Sequence, residues 1–305
     1  MLNYFVNRLI VAVLVAVTVS VFAFSLLRLS GDLAAELAGD DATPAEIAET
    51  ARAYGLDRPF HIQYLDWAGS ALTGDLGSSI FSNEPVFEII TNALPVTLQL
   101  ATYSLILSFA IAIPLGVLAA VRQNSWLDRG ALVFAVSGQA IPNFWLGLMF
   151  ILLFGVLLGW LPISGQDSWV HFILPTLTVG LSAMPVKMRL TRAGMIEVLQ
   201  SDFIRTARAK GLDPNIVLFK HALRNAILPV VSVTMVTFGR LLGGTVVVES
   251  IFALNGIGYE ALQAITRQDF PVVQSIVAFV AFVYIGLTLL SDLINAQLDP
   301  RIRLS

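Results

Sequence analysis

The chain has 305 residues, of which 56% are hydrophobic and only 13% charged, with a formal net charge of −3. Soluble domains carry about 25% charged residues, so an aqueous surface cannot be covered here and the composition is that of an integral membrane protein. With no Cys, disulfides, thiolate zinc sites, iron–sulfur clusters and thiol catalysis are excluded.

Charge-free stretches locate the membrane helices, because a span needs about 20 mostly apolar residues. The gap between Arg8 and Arg28 predicts a first helix near 7–29. Its apolar run is longer than the roughly 7–15 residues of a signal-peptide core, and no clear cleavage motif follows, so it reads as a retained helix. Residues 30–93 come next, with eleven acids and two Arg. Within them Thr43-Pro44-Ala45-Glu46 spells an N-cap, a proline at the first helical position and a glutamate three residues after the cap. A turn at Leu56-Asp57-Arg58-Pro59 precedes an aromatic-bearing stretch from Phe60 to Trp67. This segment is predicted to be a small helical subdomain outside the membrane, its acids either a solvated surface or a docking patch for a soluble partner. Five further gaps predict helices near 94–121, 131–158, 171–192, 227–249 and 272–294. The domain plan is therefore a first helix (1–29), an outside subdomain (30–93), a five-helix core (94–294) with loops at 193–226 and 250–271, and a tail (295–305). Six spans put both termini on one side. With the termini cytoplasmic, 13 of the 18 Lys and Arg fall inside, as the positive-inside rule requires.

The inside loop 193–226 is basic and patterned. Ser201 reads as the cap of a short helix from Asp202 to Lys210, with Gly211 as a left-handed terminator. Asp213-Pro214 then opens a second helix running to about Leu223. The small residues Ala207 and Ala209 would let another protein surface approach the first of these helices, and a short helix held between two spans can pass rigid-body motion to a partner.

Arg205-Thr206-Ala207-Arg208-Ala209-Lys210-Gly211 followed by His221 to Pro229 resembles the coupling loop of ABC importer permeases, in particular the dipeptide/oligopeptide/nickel branch. Gly55-Leu56-Asp57, Gly74-Asp75-Leu76-Gly77, Leu241-Leu242-Gly243-Gly244 and the tail Leu298 to Arg303 match the same branch. Gly159-Trp160-Leu161-Pro162 with Asp167-Ser168-Trp169 is similar to glutathione-importer permeases. The resemblance implies an all-α membrane protein with six transmembrane helices of the type I importer kind and a periplasmic subdomain between helices 1 and 2. It also implies a bacterial inner-membrane, multi-pass subunit that pairs with a second homologous permease. Two cytoplasmic ATPase subunits would hold ATP and magnesium, and a periplasmic binding protein would deliver a peptide, nickel or another small solute. Arg205 to Gly211 would contact the ATPase. The loop after the fifth helix, with Glu249, Gly256 and Tyr259, would reach toward the binding protein.

The residues agree that this chain does not hydrolyse ATP itself, since no Gly is followed by Lys and a Walker A phosphate loop is ruled out. His61, His171 and His221 are scattered, so no metal site or cofactor is expected in the chain. Arg240 reads as the only charge deep in a span, and it stands where this family is expected to be uncharged. It either lines a substrate path and favours a carboxylate, or pairs with an acid or reaches out of the membrane. Gly239, Gly243 and Gly244 on the same helix provide close helix packing, room for substrate, or both. An ion-coupled carrier should place carboxylates deep in its spans, and spans one to four contain none. A membrane enzyme would need a nucleophile–base pair or a metal constellation.

Overall fold

Proline and charge placement decide where the helices begin, bend and stop. A computed structural model describes residues 2–31, 33–39 and 41–298. Asp32 and Asp40 of the acidic segment lie outside these described residues. So do residues 299–305 of the expected tail, with Arg301 and Arg303 of the charge count.

The helices run α1 Leu2–Ser30, α2 Leu33–Ala38, α3 Pro44–Ala53, α4 Phe60–Leu72, α5 Val86–Val121, α6 Trp126–Ala140, α7 Asn143–Phe150, α8 Ile173–Leu199, α9 Asp202–Ala209, α10 Arg224–Ala226, α11 Leu228–Gly244, α12 Val246–Ile251, α13 Ile257–Thr266 and α14 Phe270–Leu298. Wider π turns continue α7 over Ile151–Leu157 and precede α10 over Ile216–Leu223. The only extended pairing among the described residues is the bridge between Ser78 and Pro85. Among the described residues four helices are long and apolar enough to cross a membrane, or up to six if each of two bent pairs counts as one span.

The third expected span, 131–158, is not one straight helix. The chain bends by 99° between α6 and α7. Pro142 has no N–H to donate and pushes the residue before it out of the helical region. Ile141 accordingly sits at φ −83°, ψ 125°, and Pro142 starts the next helix. Two other limits also moved. α5 begins at Val86 rather than 94, with Glu88 in its first turn, where an acid suits the helix dipole. α8 runs through Lys187, Arg189 and Arg192 to Leu199, past the expected end at 192.

The described chain forms two compact units. One takes the residues up to Pro95 together with Gly256–Gly286, the other Val96–Asn255 with the residues from Leu287 onward. In the first, Phe24 on α1 is fully buried against the rings of Phe60, Tyr64 and Trp67 on α4, at centroid distances of 5.3, 5.5 and 5.7 Å. The hydroxyls of Ser20 and Tyr64 meet at 2.8 Å. The expected cap of α3 is present: Thr43 N–H donates to Glu46 Oε2 at 2.7 Å, and Glu46 N–H donates back to Thr43 Oγ1 at 3.4 Å. The Thr43 backbone and hydroxyl bonds hold the Glu46 carboxyl below its ordinary range. Val86, Ile90 and Ala93 form a core with Ile257, Ala264, Val272, Val273 and Ile276. Its polar lock is Asp269, buried ahead of α14, which accepts from Ser79 Oγ and from the Ile80 N–H.

In the second unit α8 is the central element. Gly116 of α5 lies so close to it that a Cβ there would stand 2.7 Å from Thr191 Cβ and 2.9 Å from Met188 O. Ala112, Ala119, Ala135, Met184 and Met188 fill the same seam with small and flexible side chains.

Candidate functional site

The loop after α8 folds back on the helices that carry it. α9 is amphipathic: Ile204 and Ala207, three residues apart, share one face and are buried with Val117, Ala120, Met195, Val217, Ala222 and Ala226. Ser201 has the extended backbone of a cap, but its hydroxyl donates backward to Val198 O at 2.6 Å and the expected side-chain cap bond is not made. Gly211 ends the helix at φ +75°, as expected, with open space where a Cβ would lie. Asp213 Oδ1 accepts from the Asn215 N–H at 2.8 Å and starts the next helical stretch, which extends past Leu223 to Ala226.

Of the seven residues expected to contact an ATPase, Arg205, Thr206, Arg208, Ala209, Lys210 and Gly211 are exposed together. Ala207 instead faces inward and braces the helix on its core. The Arg205–Asp202 ion pair at 3.1 Å is wholly on the surface and contributes little. Sequence reasoning missed the apolar side chains on the outer face: Phe203, Leu212, Ile216 and Phe219 are exposed beside the cations. Their spacing alone did not separate them from core residues.

A clamp holds the base of this loop. Arg192 on α8 donates to both oxygens of Asp128 on α6, Nε to Oδ1 at 2.6 Å and Nη2 to Oδ2 at 2.8 Å. Asp128 Oδ2 also accepts from the Asn124 N–H at 2.9 Å, and Ser125 Oγ caps α6 through the Asp128 N–H at 3.3 Å. The signal was present as Ser125-x-x-Asp128, but it lay ahead of the expected helix start.

On α11, Gly239 is buried, whereas Arg240 and Gly243 are exposed on the chain; Gly244 ends the helix. Arg240 is not the only deep charge. Lys187, midway along α8, is 1% exposed. Its Nζ donates to Ala183 O at 3.1 Å and stands 5.7 Å from the centre of the Phe109 ring.

The expected contact residues after α11 are placed differently. Glu249 is fully buried, with Oε1 accepting from Thr97 Oγ1 at 2.9 Å and Thr245 Oγ1 at 2.7 Å. A carboxylate can be buried only when its oxygens are met, and here Glu249 joins α12 to α5 within the chain. Gly256 is buried and Tyr259 half-buried, whereas Leu262, Ile265 and Arg267 of this segment are exposed.

Residues 112–304 match the family described as binding-protein-dependent transport system inner membrane component, and residues 1–101 match its N-terminal membrane component. The chain belongs to this family. The chain is 41% identical over 305 residues to the glutathione transport system permease protein GsiC of Salmonella choleraesuis, covering 99% of each. It is 37% identical over 309 residues to a probable peptide ABC transporter permease protein, y4tP, of Sinorhizobium fredii, covering 98% of this chain and 99% of that one. Among solved structures, an inward-facing MetNI methionine ABC transporter superposes with a TM-score of 0.55 at 22% identity. It covers 69% of this chain and 98% of its own, and supports the fold, the type I importer permease.

As a member of this family, the protein is a multi-pass membrane permease of a transport system. Among the described residues no group of three or more His, Asp or Glu is placed to hold a metal ion. His171 has a local duty, its Nδ1 meeting the Ser168 hydroxyl at 2.9 Å at the turn before α8.

Proposed function

We propose that the chain is the transmembrane subunit of an ATP-driven importer of small peptides, glutathione-like peptides foremost. A second homologous permease subunit pairs with it, two ATPase subunits hydrolyse ATP on magnesium, and a periplasmic protein delivers the substrate. Both termini face the cytoplasm in this reading, residues 30–93 and 250–271 lie on the periplasmic side, and the Lys- and Arg-rich loop lies inside. The observation that carries the proposal is the outer face of α9, where Arg205, Arg208 and Lys210 flank exposed Phe203 above a core-anchored inner face. Such a rigid short helix suits a partner's groove. The full-length likeness to a glutathione and a peptide permease supports the substrate class.

Arg240, exposed on this chain, supplies positive charge to the pathway, where a peptide's terminal carboxylate can meet it. Charges at this depth belong in a cavity or against a partner.

The test is uptake by the complex isolated through this chain and placed in liposomes with its binding protein. Labelled glutathione and dipeptides should enter only with ATP. Arg240→Ala should lower uptake while leaving assembly intact. Uptake that persists after the ATPase subunits are stripped away removes the importer reading. Nickel uptake in place of peptide uptake reassigns the substrate.

A further inference from the structure

The inner face of α9 rests on the ends of α5 and α8 and on residues 217–226, and that core includes no residue of α6 among the described residues. α6 lies instead along α8 on a smooth seam. Ala135 is buried with Met184 and Met188, and Ala131 and Leu132 pack against the same cluster. A Cβ on Gly138 would stand 3.2 Å from Leu181 O. Small side chains facing adaptable methionines interlock weakly, and helices packed in this way can slide past one another. The seam holds α6 close to α8 without fixing its register.

Register is set at one end, by Asp128 and Arg192. The guanidinium meets the carboxylate through two bonds, at 2.6 and 2.8 Å, a geometry that constrains direction as well as distance. The same carboxylate accepts from the Asn124 N–H at 2.9 Å, and Asn124 holds φ +63°. The turn from α5 into α6, the first turn of α6 and the body of α8 are thus gathered at one buried group. Arg192 stands about one helical turn before Met195, which is buried in the core with Ile204 and Ala207. A push on α9 therefore reaches the clamp through a single turn of α8. At its far end α6 turns by 99° into α7, where a Cβ on Gly147 would stand 3.3 Å from the Phe252 ring.

We propose that Asp128 and Arg192 are the positioning pair that couples α9 to α6. They keep α6 in register with α8, so that an ATPase displacing α9 carries α6 with it, and the motion is not dissipated as sliding along the seam. The inference rests on the importer reading above and adds the residues through which motion leaves the coupling loop. The pair stays closed through the transport cycle and acts through the helices it joins.

The test uses the full chain in its assembled complex, well below the melting temperature, with two readouts: uptake per ATP hydrolysed in liposomes, and amide hydrogen exchange over α9 in detergent. Asp128→Asn keeps the shape and loses the charge; Arg192→Lys keeps the charge and loses the fork. Each should lower uptake per ATP by about fivefold and speed exchange over α9 by roughly tenfold. Ser79→Ala, which breaks the Asp269 lock in the other unit, provides a destabilised comparison and should keep the wild-type ratio. The chain has no Cys, so Asp128→Cys with Arg192→Cys can be joined by a short bifunctional thiol reagent. Joining them should restore uptake per ATP toward the wild type. Uptake blocked by the cross-link shows that the pair must open and overturns the proposal. So do wild-type uptake per ATP or unchanged α9 exchange in both single variants, and so does an equal fall in Ser79→Ala, which refers the effect to stability. Wild-type uptake that needs no ATP overturns the importer reading instead, and exchange over α9 then still decides whether the clamp holds the helix.

Discussion

Asp128→Ala tests whether the clamp beneath the coupling loop has energetic weight. The mutation removes two charge-assisted hydrogen bonds, at 2.6 and 2.8 Å, and leaves Arg192 without its counter-ion. Stripping one partner from a buried ion pair costs about 3–5 kcal/mol. The Asp128 side chain is 3% exposed and that of Arg192 21%, so water recovers part of the loss and the lower end, about 3 kcal/mol, applies. At 2–4 °C per kcal/mol for domains of this order of size, the complex should melt roughly 6–12 °C earlier. Pairing Asp128→Ala with Arg192→Ala separates the interaction from lost packing. Removing both charges leaves no unpaired ion, so the double variant should be more stable than the summed single effects imply by about 1–3 kcal/mol. Strict additivity, or single variants that melt with the wild type, would refute the reasoning.

Three further outcomes follow from the geometry. Gly211→Val should raise ATP hydrolysis without matching uptake, because a branched side chain at φ +75° is strained by about 1–2 kcal/mol. Gly211→Asn should couple nearly normally, since Asn visits that region and the space is open; equal defects in the two would refer the effect to a lost contact. Gly116→Ala should lower stability by about 1–3 kcal/mol, measured by melting, because the new Cβ overlaps Thr191 and the Met188 carbonyl. Burial raises the Glu260 pKa, opposed by Arg267 and assisted by Glu84. A raised carboxyl favours the fold below the unfolded value of about 4.3, and that contribution is lost as pH climbs through the folded value. Glu260→Gln should therefore stabilise the complex at neutral pH, with the difference from wild type closing toward pH 4; a pH-independent difference would count against it.

The parts of the fold legible in sequence were those written in local chemistry. Thr43-Pro44 with Glu46, Asp213-Pro214 and Gly211 act within a turn or two of themselves, and each stands where its residue type predicts. Using charges to delimit helices misplaced the limits. Glu88 ends a charge-free gap yet sits in the first turn of α5, whereas Lys187 and Arg192 are carried inside α8, one by a backbone carbonyl and one by Asp128. A charge-free stretch also registers no bend, so it does not show the break at Pro142. The site divided in the same way. The basic string of the coupling loop was visible, but which of Ile204, Ala207, Phe203 and Phe219 face inward depends on contacts with α5 and α8. The burial of Glu249 is not legible locally, because one of its partners, Thr97, lies 152 positions earlier.

The Ser79–Asp269 lock joins residues 190 positions apart. Ribosomes add roughly 5–20 residues per second, so Asp269 emerges about 10–40 s after Ser79. Until then Val86, Ile90 and Ala93 lack the side chains of α13 and α14 that cover them. The first unit therefore stays unfinished through most of synthesis, and a chain cut short before residue 256 never closes it. The lock therefore marks a completed polypeptide: only a chain translated past Asp269 can close this core.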